Sequence, residues 1–403
     1  MNSKPRIFIN MHYMELGGAE RALLGLLNAI DTARFEVDLF LNDQRGELMP
    51  FIPSTVNLLP AIPAYTMLER PIVELIKRGF WRLAIARLWA KGITRISKRK
   101  NISHLDDASC FFNMSSYTTP LLPDIQPETV YDLAISFLTP HFIVLDKVRA
   151  KKKVAWIHTD YTNIYIDSAK EFPMWARYDK IAAVSEEAAN KFVQVFPSLA
   201  SKVFVCENIL PVVFIRERAK EFVPSEMTTD KNNFNILSIG RYSNPKRFDE
   251  IPQICKRLIS LVPQHTIRWF IIGYGTDEEL IRQRILEAGV QDHVILLGKR
   301  TNPYPYIQTC DLYIQPSRYE GKSITVREAQ ILCKPIVITD YPTAKSQIKD
   351  QIDGVIVPMN IDSCAEGIAQ VILDRKLRQQ LCAYLMDSDY GNASEVEKIY
   401  RLL

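Results

Sequence analysis

The chain predicts an α/β fold made of two doubly wound, parallel-sheet domains, and three observations carry that prediction. Short apolar segments of strand length alternate with longer segments whose apolar residues recur at helical spacing. The chain has 403 residues, more than one hydrophobic core ordinarily supports, so two cores of about 200 residues each are expected. Polar and glycine-bearing loops follow several of the strands, where open α/β sheets hold their ligands.

The first half opens with an apolar strand over Ile7–Asn10 and a loop carrying Gly17 and Gly18. A helix follows on which Ala19, Ala22, Leu23, Leu26, Leu27 and Ile30 form one stripe. Strands over Leu133–Ser136, Lys153–Ile157 and Lys180–Val184 continue the pattern. The stretch from about Arg216 to Asn233 is charged, contains Pro224 and has no periodicity, which marks a linker. Beyond it, strands are predicted near 235–239, 268–272, 294–297, 312–315, 336–339 and 354–357. Between them the segment Phe248–Val262 places Phe248, Ile251, Cys255, Leu258, Ile259 and Val262 on one helix face.

Composition narrows the class. A hydrophobic content of 47% with 24% charged residues is that of a soluble globular protein. The formal net charge of +4 is too mild to imply nucleic acid. Seven scattered cysteines lack the close pairs of a zinc or redox site, and reduced thiols in the cytoplasm are expected. The start of the chain leads straight into Ile7–Asn10 without the apolar core of a signal peptide, and no run approaches the roughly 20 residues of a spanning helix.

Glu320 and Glu328 stand eight positions apart in the run from Pro316 to Glu328. The segment Asp311–Gln315 before them reads as a buried strand, Ser323 as an N-cap, and Ile324–Leu332 as a helix stopping before Pro335. Backbone N–H groups near Gly321, Lys322 and Ser323 then face outward at a helix N-terminus, which favours a phosphate. A carboxylate beyond that phosphate suits vicinal hydroxyls, so the spacing points to a nucleotide-sugar site. Gly240, Arg241 and Lys246 follow a strand and precede a helix, and both cations can reach an anion held there.

These motifs resemble the retaining GT-B glycosyltransferases of family four. Glu320 and Glu328 match the E-x7-E motif of that family, together with the surrounding Pro-Ser-x-x-Glu-Gly. The resemblance extends to Gly17 and Gly18 with Glu20, Trp156 to His158, Gly240 with Arg241 and Lys246, Gly273 to Gly275, and Thr339 to Lys345. The last run is similar to that in enzymes of bacterial capsular and cell-surface polysaccharides. The resemblance implies two Rossmann-like domains facing across a cleft. Residues 1–215 would form the acceptor-side domain, 216–233 the linker and 234–385 the nucleotide-sugar domain, with a C-terminal helix in 386–403 packing back on the first domain.

By the same resemblance Glu328 binds ribose hydroxyls, and Glu320 and His158 contact the donor sugar. Arg241 and Lys246 grip the diphosphate, and the backbone around Lys322 and Ser323 holds the distal phosphate. Gly17 and Gly18 let backbone approach the ligand, and Gly273 shapes a tight strand-to-helix turn. Catalytic roles fall to Glu320, His158, Arg241 and Lys246, with no metal, no cofactor and no named base. One departure is Arg247, which stands where the family usually carries glycine and could supplement or displace Lys246. The segment Gly298–Tyr306 resembles the region that meets the nucleobase, but no side chain there selects uracil over guanine. The remaining histidines, His12, His104, His141, His265 and His293, have no metal-like spacing. Asp387 and Asp389 read as a solvated turn.

Residues 67–100 carry Arg70, Lys77, Arg78, Arg82, Arg87, Lys91, Arg95, Lys98, Arg99 and Lys100 against Glu69 and Glu74, interleaved with Phe80, Trp81, Leu83, Leu88 and Trp89. Such a segment suits either an anionic bilayer surface or a surface helix whose apolar face joins the core. The expected activity is metal-independent, retaining transfer of a hexose or N-acetylhexosamine from a nucleotide diphosphate sugar, UDP foremost, to a glycan or lipid-linked acceptor. The expected place is the cytoplasm or the cytoplasmic membrane face. The alternatives are a GT-B-type sugar-nucleotide epimerase and a non-catalytic sugar-nucleotide-binding scaffold subunit.

Overall fold

The computed structural model describes all residues except 1–3, 101–105, 140, 163 and 228–231. His104, part of the expected linker and the side chains of Lys98, Arg99 and Lys100 lie outside the described residues. The chain divides into two compact units, Met1–Leu210 with Asn392–Leu403, and Pro211–Gly391.

The first unit is built on seven parallel strands: β1 (Arg6–Met11), β2 (Glu36–Leu41), β3 (Asn57–Leu58), β4 (Tyr131–Ser136), β5 (Ala150–Ile157), β6 (Lys180–Ala183) and β7 (Val203–Val205). Their order across the sheet is β3-β2-β1-β4-β5-β6-β7. Parallel strands need helical crossovers, which cover both faces and demand nearly continuous apolar sequence. Accordingly Ile7, Phe8, Ile9, Leu133, Ala134 and Ile135 are fully buried. Helix α1 (Gly18–Ala29) buries Ala22, Leu23, Leu26 and Leu27, the stripe read from the sequence.

Strands β2, β3 and β7 were not among the expected ones. Asp38 interrupts the apolar run of β2, and it is tolerated because Tyr131, Asn57 and Arg6 donate to its carboxylate at 2.6, 2.7 and 3.2 Å. Helices α2 (Ile72–Lys77) and α3 (Trp81–Lys100) follow β3 in the chain.

The last residues belong to this same unit. The Asp31 N–H donates to the Tyr400 hydroxyl at 2.7 Å, and the Glu207 N–H donates to Glu395 at 2.8 Å. The Phe35 and Tyr400 rings stack at 4.5 Å.

The second unit has six parallel strands: β8 (Asn233–Ile239), β9 (Thr266–Ile272), β10 (Val294–Gly298), β11 (Leu312–Gln315), β12 (Ile336–Thr339) and β13 (Val355–Val357). Their order is β10-β9-β8-β11-β12-β13. The helices of this unit include α4 (Val212–Arg218), α5 (Ile251–Leu261), α6 (Tyr304–Thr309), α7 (Ile324–Ile331) and α8 (Ala344–Gln347). Helix α5 buries Ile251, Ile254, Cys255 and Leu258. A polar link deep in this core is satisfied throughout: the Trp269 indole donates to Ser238 Oγ at 2.9 Å, and Ser238 donates to the Ile314 carbonyl at 2.7 Å.

Both sheets reverse direction of growth beside their first strand, between β1 and β4 in one and between β8 and β11 in the other. Such switch points open a crevice at the carboxyl ends of the strands, where ligands of doubly wound folds bind.

The division between the units falls at Leu210/Pro211, upstream of the linker expected over 216–233. The reason is α4, which buries Ile215, sets Phe214 edge-on to Tyr304 at 6.1 Å and offers the Arg218 carbonyl to Asn302 at 2.9 Å. So short a helix needs few buried positions, and its periodicity is lost among the charges around it.

Candidate functional site

In the second unit the carboxyl ends of β8 and β11 bring the sequence-selected residues together. Gly240 and Arg241 follow β8, and a single turn of 3-10 helix, Asn244–Lys246, comes next. The Lys246 ammonium reaches across the switch point to Glu320 Oε1 at 2.6 Å, an oxygen that also accepts from Ser317 Oγ at 2.7 Å. Ser317 accepts in turn from Gln315 at 2.9 Å, and Gln315 Oε1 receives the Tyr313 hydroxyl at 2.8 Å and the Thr325 hydroxyl at 3.2 Å. This chain of buried groups orients the Glu320 carboxylate from below. Its backbone is also held, since Thr343 donates to the Glu320 carbonyl at 2.8 Å.

Gly240 makes room for the lysine, because a Cβ there would lie 3.3 Å from Lys246 Cδ and 3.2 Å from Phe248 Cζ. Gly273 is constrained more sharply: its Cβ would sit 1.9 Å from the Gly240 carbonyl oxygen, so the turns after β8 and β9 can touch only without a side chain. Arg318 completes the platform. It forks onto both carboxylate oxygens of Asp249 at 2.8 and 2.9 Å, and its N–H donates to the Pro245 carbonyl at 2.8 Å. Arg241 is exposed and has no ion-pair partner among the described residues.

Arg247 does not join Lys246. It is buried, its Nε donates to Glu250 at 2.8 Å, and its Nη2 contacts both Glu250 and the Met359 carbonyl. Its backbone explains why glycine suits this position, since φ 60° and ψ 28° place it in the left-handed region that disfavours a Cβ.

Helix α7 starts at Ile324, with Ser323 at the N-cap position. The Ser323 side chain makes no capping bond, its hydroxyl meeting Thr325 Oγ1 at 3.1 Å instead. Its N–H donates to Gln347 Oε1 at 2.9 Å, and the Gln347 amide donates back to the Ser323 carbonyl at 2.5 Å. Of the three N–H groups expected to face a phosphate, that of Ser323 is therefore already engaged. Gly321 and Lys322 are half-buried, and nothing lies within 4 Å of a Cβ built on Gly321.

Glu328 lies one turn into α7 and is fully buried. It is separate from the Lys246–Glu320 pair, and the Tyr304 hydroxyl of α6 donates to its Oε1 at 3.0 Å.

In the first unit Gly17 and Gly18 lie at the start of α1, just after β1, as N-cap and first helical residue. His158 follows β5, and its Nε2 donates to the Phe137 carbonyl at 2.9 Å. Burial pushes its imidazole down to about 4, with the Phe137 hydrogen bond opposing. The ring is thus neutral at pH 7, with its proton on Nε2 and Nδ1 as an acceptor.

His12, which spacing alone did not select, sits at the end of β1 with Nδ1 2.9 Å from Glu69 Oε1 and Nε2 against the Thr139 carbonyl. Burial disfavours the charged Glu69 carboxyl, yet His12 holds it below its usual range. Gln315, Ser317, Tyr304 and Gln347 were likewise missed. The one signal available was a polar residue, Gln315, ending an otherwise apolar strand.

Comparison with known proteins bears on the fold and the enzyme class. Residues 220–384 match the family model described as glycosyl transferases group 1. A Campylobacter jejuni protein named N-acetylgalactosamine-N,N'-diacetylbacillosaminyl-diphospho-undecaprenol 4-alpha-N-acetylgalactosaminyltransferase is 24% identical, covering 93% of this chain and 92% of its own. An uncharacterized glycosyltransferase of Haemophilus influenzae is also 24% identical, over 72% of this chain and 78% of its own. Among solved structures, Anabaena HepE in complex with UDP and glucose superimposes with a TM-score of 0.65 at 15% identity over 98% of both chains. A Staphylococcus aureus TarM variant in complex with fondaparinux, alpha-GlcNAc-glycerol and UDP gives 0.66 at 14% identity over 99% of both. Those two share the fold, which is GT-B. The family match over residues 220–384 and glycosyltransferase relatives along most of the chain agree: the chain is a glycosyltransferase, and its second unit carries the match to the group 1 glycosyl transferases.

Proposed function

We propose that the chain is a retaining, metal-independent transferase that moves a hexose or N-acetylhexosamine from UDP to a glycan or lipid-linked acceptor in surface-polysaccharide assembly. The observation that carries this reading is the Lys246–Glu320–Ser317 constellation at the switch point of the second sheet. In the reaction the bond between the anomeric carbon and the diphosphate oxygen breaks and a bond to an acceptor hydroxyl oxygen forms with the same configuration. The departing diphosphate gains charge, and Arg241 and Lys246 would offset it as preorganised cations.

Glu320, already oriented by Ser317, would accept from donor-sugar hydroxyls. Glu328 would take the ribose hydroxyls in place of the Tyr304 hydroxyl, and the backbone of Gly321 and Lys322 would meet the distal phosphate. His158 offers Nδ1 as a neutral acceptor for a sugar hydroxyl, and Gly17 and Gly18 would allow close backbone approach. Retention is supported by the name of the Campylobacter relative, which forms an alpha linkage. Nucleotide diphosphate hexosamines carry their phosphate in the same configuration. UDP is supported by the complexes of HepE and TarM. The same relative's diphospho-undecaprenol substrate supports a lipid-linked acceptor, which this chain would meet at the cytoplasmic face of a membrane.

A thermal-shift panel of UDP-, GDP-, ADP- and CMP-sugars, run with and without chelator, tests the reading. Selective stabilisation by UDP-sugars that persists in chelator and weakens at least tenfold in Glu328→Ala is expected. Stabilisation by a different nucleotide alone overturns the UDP assignment, and its loss with chelator overturns metal independence.

A further inference from the structure

Helix α3 is apolar on two opposite faces. Leu83, Ala84, Ala90 and Thr94 are buried on one, with Arg87, whose guanidinium turns inward to the Met67 and Arg70 carbonyls at 2.8 and 2.5 Å. The other face presents Trp81, Ile85, Leu88, Trp89 and Ile96 to solvent, with exposures of 59, 59, 54, 64 and 60%. At 3.6 residues per turn these five positions fall within an arc of about 100°, a continuous stripe rather than scattered surface residues.

Cations border that stripe on both sides. Arg82 lies on one flank and Lys91 and Arg95 on the other, all exposed, while Lys77 and Arg78 at the end of α2 are exposed just before it. The acid in this surface, Glu74, is engaged by Arg78 at 2.8 Å. Surface apolar side chains bordered by an excess of cations complement a layer that is apolar inside and negatively charged at its face. Tryptophan at two of the five positions adds a ring suited to the boundary between head groups and acyl chains.

We propose that this face of α3 docks on a bilayer rich in anionic phospholipid, with Trp81, Ile85, Leu88, Trp89 and Ile96 entering the interface and Arg82, Lys91 and Arg95 meeting phosphate groups. The helix lies in the plane of the interface while its opposite face remains part of the protein core. This names the lipid partner of the enzyme proposed above, and rests on that reading for the role of the surface in meeting a lipid-linked acceptor.

Vesicle binding tests it independently of donor binding. Trp156, Trp175 and Trp269 are buried, so Trp81 and Trp89 are the solvent-exposed members of the chain's five tryptophans and their fluorescence reports the face. The full chain is expected to co-sediment with phosphatidylcholine vesicles containing phosphatidylglycerol, with a blue-shifted emission, and to bind at least tenfold less to phosphatidylcholine alone. The double variant Trp81→Ser/Trp89→Ser, and separately the triple variant Arg82→Gln/Lys91→Gln/Arg95→Gln, should each lose at least tenfold in vesicle affinity while keeping the UDP-induced thermal shift of the parent chain. The proposal is overturned if the parent chain does not bind the anionic vesicles, or if both variants bind like it. It is also overturned if the face proves to be covered by a second copy, seen as a concentration-dependent dimer that the tryptophan variant abolishes. Retained vesicle binding with no UDP-induced shift would sink the proposed function and leave the docking face standing.

Discussion

Replacing Arg247 by glycine separates backbone from charge at the one position where the site departs from the family it resembles. The backbone term favours the variant: a residue held at φ 60° would lose a left-handed penalty of roughly 1 kcal/mol. The side-chain term opposes it, because the guanidinium binds Glu250 and the Met359 carbonyl, and charge-assisted bonds of this kind contribute about 1.5–3 kcal/mol each before reorganisation. Glu250 keeps a second partner in Arg318 at 2.5 Å, which limits the loss. A net destabilisation of about 1–2 kcal/mol follows, or roughly 2–8 °C in Tm for a unit of this size. Because the guanidinium is buried with Glu250 and Met359, the affinity for UDP should stay within about twofold of the parent. Differential scanning fluorimetry and titration calorimetry with UDP measure the two quantities. An unchanged Tm together with a tenfold or greater loss of UDP affinity would refute the assignment of Arg247 to the core of the loop.

The Lys246–Glu320 pair should show coupling in a double-mutant cycle of Lys246→Met and Glu320→Gln. At 2.6 Å and only partly exposed, it should contribute about 1–2 kcal/mol to the stability of the ligand-free protein, measured by urea unfolding, and additivity within ~0.3 kcal/mol would show the pair is not formed. Acid should destabilise the first unit through its buried histidines. Burial holds His158 at about 4 and His141 at about 3, both below an unfolded value near 6.5, so the unfolded chain binds more protons and stability falls as pH drops from about 6.5 toward 4. Glu171, pushed by burial up to about 7, opposes this between about 4.5 and 7. His158→Gln should therefore flatten the pH dependence of the unfolding free energy over that window by ~1–3 kcal/mol and Glu171→Gln should steepen it. Curves parallel to the parent would contradict the buried, neutral state of His158.

Much of the second unit could be read from the sequence because its determinants are local. Strands such as Leu312–Gln315 and Ile336–Thr339 are short apolar runs, and the stripe of α5 repeats at helical spacing. What escaped was set by partners distant in sequence. Asp38 can stand inside β2 because Tyr131, 93 residues away, donates to it. The expected boundary at 215/216 cut through α4, because the contacts of that helix with α6 and α7 are not recorded in periodicity. At the site, Glu320 and Glu328 were visible as a spacing with separate expected roles, but their protein partners were not. Glu320 faces Lys246, and Glu328 is buried against Tyr304.

The α/β class could be read from the order of residues alone, since backbone propensity and apolar periodicity are properties of neighbouring positions. Tertiary structure alone decided which groups the charged residues meet. It closed a gap of 74 residues to bring the Lys246 ammonium onto Glu320, gave the Ser323 N–H to Gln347, and turned Arg247 away from Lys246. It also left Trp81 and Trp89 of α3 in solvent while burying Leu83 and Ala90 of the same helix. Those outcomes depend on distance and burial in three dimensions, and the energy of a charge or an apolar surface is set by what surrounds it rather than by its place in the chain.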